Sequence, residues 1–409
     1  MQEQILEECA RVLIEGQAFA RQSETIQSLL RALEFDEADV ADKHNRAKLL
    51  QAASGFARLF QLRSPDAPGL TFFGAQADPG DIAPGGTGQP RFSSSGVGLT
   101  FRAAFEGCVG EAVELLSQVE CGEDGGQEEI GAQNLLDGAR TSFPASLCLR
   151  RGAGQPAPPW PLSIGCSAGT SHEAATLRAL LELIERDAAA LWWRGGVRAH
   201  AVPMDSEAAR RVTSLLGSAR GAGQRRQCWV LDISSDLGVP CVVAVSVGQQ
   251  GGDFACGVAA RLSLARAADA AVLEMCQAEL AHHVVAAKRL ESGDGALNAH
   301  DLAHLRRRHE LPVEDCLLLH PLPPRVDNLF NTDASDVATA LRVLLEHLKS
   351  HGIDAFAIDL TRKRFGIPVV RVLCPTLEKE PSQLVGDRLR TAIERTGGGD
   401  VFTHGIPLM

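Results

Sequence analysis

A chain of 409 residues, 45% hydrophobic and 22% charged, has the apolar content for one large or two ordinary globular domains. Its net charge of -11 opposes general nucleic-acid binding, which needs a basic face; the short basic runs at 225–227 and 306–309 read as solvated helix ends. No apolar run approaches the ~20 residues that span a bilayer, so no membrane role is expected.

Residues 1 to about 62 read as two or three amphipathic helices: ILEECARVLIEGQAFA, IQSLLRAL and RAKLLQAASGFARLF. They make an N-terminal helical region, bounded at residue 75, suited to capping the core or to forming a homodimer. The first residues, MQEQILEECARVL, are acidic and amphipathic, unlike a secretion signal. The eleven cysteines are scattered without a CxxC pair, as expected of small buried hydrophobes in a reducing, cytoplasmic setting. His282 and His283 are adjacent but diverge by about 100° on a helix, a poor chelating pair for zinc.

The second unit runs from 76 to 409. After a Gly/Pro/Ser-rich loop at 75–95, SSSGVGLTFRAAFEGCVGEAVELLSQ (93–118) leads from a serine–glycine turn into a helix bearing Glu111 and Glu114. Two further loops precede SIGCSAGTSHEAATLRALLELIERDAAALWW (163–193). There Glu182, Glu185 and Arg186 share one helix face beside Leu180, Leu181, Leu183 and Ile184. RLSLARAADAAVLEMCQAELAHH (261–283) repeats the plan with Glu274 and Gln277. Strands are expected at 228–235, 239–247, 354–361 and 367–374, and an amphipathic helix at 334–352 stopped by glycine. This order predicts an α+β (α/β-like) fold, with β-sheets backed by helices.

A single Glu–Arg pair at helical spacing is commonly a surface pair worth ~0.3–0.5 kcal/mol. Two glutamates three apart instead repel, so helix stability does not account for the EAVE and ELIE pairs. Three recurrences, each after a glycine turn, argue for a shared counter-ion. Oxygen-rich acidic sites suit magnesium, which keeps waters and phosphate oxygens and takes few carboxylates directly. No GxxxxGK[ST] sequence occurs, which excludes an ordinary P-loop.

These segments resemble the nucleotide-binding elements of the YcaO family, whose middle element reads approximately SNGxAxGNxxxEAxxxAxxExxERD. Ser163, Gly165, Ala168, Gly169, Ala175, Glu182, Glu185, Arg186 and Asp187 fit it, and GIPVVRVLCPTLE (366–378) resembles the family's late strand. The similarity spans roughly residues 90 to 380. Ile164, Thr170 and Ala174 depart from the pattern, Glu173 is kept, and HGIPLM stands where azoline-forming relatives have a proline-rich tail. The resemblance implies ATP and Mg2+ as cofactors, with Glu111, Glu114, Glu182, Glu185 and Glu274 as metal ligands. It implies Ser163, Ser167, Glu173, Gln277 and Arg186 as further nucleotide contacts, and Arg186 and Arg371 as catalytic cations. The implied reaction is O-phosphorylation of a backbone amide in a ribosomally made precursor peptide, giving a thioamide, an azoline or an amidine. A separate leader-binding, ubiquitin-activating-enzyme-like or TfuA-type partner is implied as well. Two other readings stand beside it: a non-catalytic ATP-binding scaffold subunit, and a transferase using Cys166, which needs a base within ~3 Å.

Overall fold

The computed structural model describes residues 40–83, 90–152, 154–221, 226–325, 329–332, 334 and 336–408; the helices expected at 5–20 and 26–33 lie outside them. Helix α1 (Val40–Ser54) is followed by strands β1 (Arg58–Leu62), β2 (Thr71–Ala77) and β3 (Phe92–Gly98), which pair antiparallel as one sheet. The helix expected to run on through RLF therefore ends at Ser54. In β1, Leu59 is buried and Arg58–Leu62 pairs in register with Phe72–Gln76. The expected boundary at residue 75 falls inside β2, whose residues 71–77 pair along their length with β3.

Helix α2 (Phe101–Ser117) packs on β3 and β2. The second sheet has the order β5-β4-β11-β12-β6, built from β4 (Glu129–Asn134), β5 (Arg140–Pro144), β6 (Cys166–Ala168), β11 (Phe356–Asp359) and β12 (Val369–Leu373). The third has the order β10-β9-β8-β7, from β7 (His200–Ala201), β8 (Arg226–Asp232), β9 (Cys241–Gly248) and β10 (Ala255–Ala260). Helix α3 (His172–Trp193) lies between the second and third sheets, against β6, β12 and β10. Helices α4 (Glu207–Arg220) and α5 (Leu264–Ser292) pack together, with α5 covering β9 and β10. Helices α6 (Ala299–Glu310), α7 (Val337–Ser350) and α8 (Asp387–Thr396) complete the chain, α7 and α8 both on α3.

The three long helices start alike. Thr100, Ser171 and Ser263 stand in extended backbone, and each side chain accepts from the backbone N–H three residues on. The strand before each helix is an edge strand: β3, β6 and β10 each end their sheet. Two glycines let helix and strand approach closely. A Cβ at Gly96 in β3 would collide with the backbone of Ala104 and Cys108 in α2, and one at Gly257 in β10 with Ala271 and Met275 in α5. Both helices thereby lie flush on their strands.

Candidate nucleotide and metal site

Each strand–helix unit ties itself shut with its first acidic residue. Glu111 accepts from Ser95 N–H at 2.7 Å, Glu182 from Gly165 N–H at 3.1 Å and Glu274 from Val258 N–H at 3.3 Å. The sequence separations are 16, 17 and 16 residues, so one local geometry recurs three times. The residue three positions further reaches the next unit. Glu114 accepts from Ala168 N–H at 2.7 Å and Ser167 Oγ at 3.2 Å, and Glu185 from Ala260 N–H at 3.2 Å. Gln277 closes the circuit by donating from Nε2 to Ser95 Oγ. The acidic pairs of three separated segments thus form one ring that satisfies N–H groups on or beside three sheet edges.

The ring is short of positive charge. Arg186 lies 3.5 Å from Glu182 and 3.4 Å from Glu185. Arg261, whose Nη1 donates to Ala260 O at 2.8 Å, adds its field to Glu185 and Glu274. Against these stand five carboxylates. Burial raises the Glu111 carboxyl to about 7, opposed by the Ser95 hydrogen bond. It raises Glu114 to about 8, with Glu182 and Glu111 adding repulsion. Burial takes Glu182 to about 7 despite Arg186. Glu185 is raised by burial, and Glu274 by burial and then by Glu185. Glu274 is exposed to solvent, which screens part of that effect. These mutual influences place the five carboxylates within electrostatic reach of one another.

Such a cluster is matched to hard cations and phosphate. Among the described residues no three His, Cys, Asp or Glu side chains converge as a ready-made metal cage. Magnesium takes one or two carboxylates directly, with water and phosphate oxygens completing its shell. The surplus of oxygen donors with raised proton affinity fits the group.

The other expected residues are placed differently. Ser167 belongs to the ring through Glu114. Ser163 contributes its carbonyl, which accepts from Cys166 N–H at 3.1 Å and closes the turn into β6. Glu173 sits exposed in the first turn of α3, nine residues or ~13 Å along the helix from Glu182. Its carboxyl is held low by its own backbone N–H and by Ser171, the residue that caps the helix. Arg371, expected to offset charge directly, is fully buried and donates to the carbonyls of Cys148 (2.9 Å), Ile164 (3.3 Å) and Leu162. It positions the turn that carries Gly165 and acts on Glu182 only through its field. Cys166 is buried beside Arg371 and Glu114, its thiol pushed up by burial to about 12, which removes the cysteine-nucleophile reading. Ile164 is buried in the main core and offers the site nothing polar.

Ser95 and Arg261 escaped sequence reading. Ser95 lies within a run of serines, and Arg261 two residues before a helix cap; only alignment of the three units against each other would mark them. Three cavities, of about 540, 710 and 780 Å³, have no ring residue in their walls.

The YcaO family model, described as YcaO cyclodehydratase, ATP- and Mg2+-binding, matches residues 122–378, more than half of the chain. The second and third units fall inside that match; the first, with Glu111 and Glu114, precedes it. An uncharacterized protein of Methanothermobacter thermautotrophicus is 28% identical over 242 residues, 56% of this chain and 59% of the relative. A heterocyclase solved in complex with substrate and cofactor superposes with a TM-score of 0.66 at 21% identity, covering 86% of this chain and 55% of that one. The YcaO protein of Methanopyrus kandleri bound with AMPPCP and Mg2+ gives 0.61 at 19% identity, covering 83% and 91%. The chain spans less than two thirds of the first two, and at these identities the structural likeness is one of fold. The chain belongs to the YcaO family, whose cofactors are ATP and Mg2+.

Proposed function

We propose that the acidic ring holds Mg2+ and the triphosphate of ATP, and that the chain uses them to activate a backbone amide of a ribosomally made peptide. The observation that carries this reading is the closed circuit of two acid pairs and one acid–amide pair, with raised carboxyl proton affinity and few cations to match. Glu111, Glu114, Glu182, Glu185 and Glu274 hold the metal, directly or through water, and Gln277 with Ser95 binds water or phosphate. Bound Mg2+ neutralises charge on the phosphate oxygens, and Arg186 adds a guanidinium where charge develops. Arg371 keeps the 162–165 turn in place.

An amide oxygen is a poor leaving group; transfer of the γ-phosphoryl to it lets it depart as phosphate. A nucleophile adds to the amide carbon, the C–O bond breaks, and ADP and phosphate are released. With a substrate Cys, Ser or Thr side chain the product is an azoline; with external sulfide it is a thioamide. Under either chemistry a separate partner protein would deliver sulfide or bind the leader. We place the catalytic unit from β1 to residue 409, since β2 pairs with β3 across the boundary expected at 75, and place the protein in the cytoplasm. No described helix is long and apolar enough to cross a membrane.

Incubation of precursor peptide and partner with ATP and Mg2+, followed by intact mass, tests the reading. Loss of one water per event identifies an azoline, and exchange of oxygen for sulfur a thioamide. Ile164, Thr170 and Ala174 favour a second reading, an ATP-binding scaffold subunit without turnover. Tight ATP binding with no peptide-dependent hydrolysis would establish it instead.

A further inference from the structure

A second polar cavity, of about 780 Å³, opens where the β9–β10 turn meets α5 and α6; its walls include Arg226, Asp253, His282, His283, Arg308 and Asp66. His282 lies eight residues beyond Glu274 on α5, ~12 Å along the helix, so this cavity is separate from the acidic ring.

Its charges are arranged unlike those of the ring. Behind the wall, Glu279 is shared by two guanidiniums: Arg220, whose Nη2 donates at 2.6 Å, and Arg226, at 3.1 Å. All three are buried, leaving one positive charge in excess. Of the two acids in the wall, Asp253 pairs with Arg308 Nε at 2.6 Å, and Asp66 accepts a 2.8 Å contact from His283, a charge pair only when that ring is protonated. Arg308 has no hydrogen bond from its Nη groups among the described residues. His282 is only 4% exposed, yet its ring makes no hydrogen bond with any described residue; its one ring contact is edge-on to His304 at 5.3 Å. With no protein partner, the imidazole in the cavity wall is left to meet whatever fills the cavity. Burial, His304, Arg308 and Arg226 hold it neutral, its pKa lowered to about 3, as expected under a positive field.

We propose that this cavity is an anion site for a phosphate-bearing small molecule, bound by the Nη groups of Arg308 and by His282, with the Arg220–Glu279–Arg226 triad supplying a fixed positive background. The volume lies within the range of small-molecule pockets and exceeds what inorganic phosphate alone would fill. The site asks nothing of the acidic ring and stands or falls without it.

Inorganic phosphate titrated into the full chain, followed by the imidazole NMR signal of His282, provides the test. A saturable shift is expected, absent with chloride at matched ionic strength. Arg308→Gln should weaken it by about tenfold, as for loss of a charge-assisted contact, while nucleotide binding at the ring is unchanged. His309→Gln, altering an exposed residue at the rim, should keep most of the binding and checks that rim changes do not by themselves unfold the pocket. No saturable shift, an equal response to chloride, or full binding in a folded Arg308→Gln protein would overturn the proposal.

Discussion

Two neighbours on α3, Arg186 and Asp187, belong to opposite kinds of buried electrostatics. Asp187 is a single buried carboxylate held by direct bonds: Arg388 donates at 2.9 and 2.8 Å, and Glu378 N–H at 3.0 Å, while the second acid on Arg388, Asp236, is exposed to solvent. One residue earlier, Arg186 is shared by two glutamates within a ring of five. The anchor gives its one buried carboxylate a guanidinium in contact and pins α8 to α3. The ring leaves negative charge unmatched, a state a protein core does not favour. The contrast teaches that buried carboxylates alone do not mark a site; their ratio to nearby cations does.

Breaking the anchor should have the largest effect. Arg388→Ala strands Asp187 in the core and is expected to cost about 3–5 kcal/mol of unfolding free energy, read by denaturant titration. A loss within experimental error would mean that Asp187 is not held by this pair.

Changes in the ring should act on chemistry instead. Glu182→Gln removes a carboxylate that repels its neighbours, so folding stability should hold or rise slightly. Peptide-dependent ATP turnover should fall at least ~100-fold, the size of loss typical for removing a group that stabilises transition-state charge. Equal turnover in a folded variant would take Glu182 out of the site.

The pH dependence sharpens the comparison further. The folded-state carboxyls of Glu111, Glu114 and Glu182 lie at about 7, 8 and 7, above the ordinary 4.5. Between those values the folded chain keeps protons that the unfolded chain has released. Their contribution to stability is therefore full below about 4.5 and lost as pH rises towards 8. On the order of 2 kcal/mol should disappear over this window after solvent screening, and Mg2+ with ATP should restore it; thermal unfolding at a series of pH values measures both. A stability that instead rises across the window in the chain alone, beyond the contribution of other groups, would contradict these shifts.

Glu173→Gln should have the smallest effect. The exposed residue lies ~13 Å along α3 from Glu182, so turnover should stay within about threefold and stability within ~0.5 kcal/mol.

Much of this was legible in the residues because the ring is built from local repeats: acid pairs three apart, each on a helix after a turn. The resemblance of 163–193 to one family's central element fixed the chemistry to be sought. The circuit itself was not legible, since Glu114 to Ala168 and Glu185 to Ala260 join segments 54 and 75 residues apart. Strand β3 reads as a loop because FSSSGVG is small and polar, yet smallness is what lets α2 lie against it. Arg371 looks like a catalytic cation in a strand motif, but its donors are consumed by three carbonyls contributed by segments far away in sequence. Asp187 gives no hint of Arg388, 201 residues on.

The account turns on carboxyl groups that release their protons to solvent as a metal-bound triphosphate docks. Calorimetric titration of ATP into the full chain near neutral pH, with and without Mg2+ and in buffers of different ionisation enthalpy, measures this directly. The account predicts Mg2+-dependent binding accompanied by proton release, with fewer protons released in Glu114→Gln. Binding that is indifferent to Mg2+, or proton release unchanged by that substitution, would contradict it.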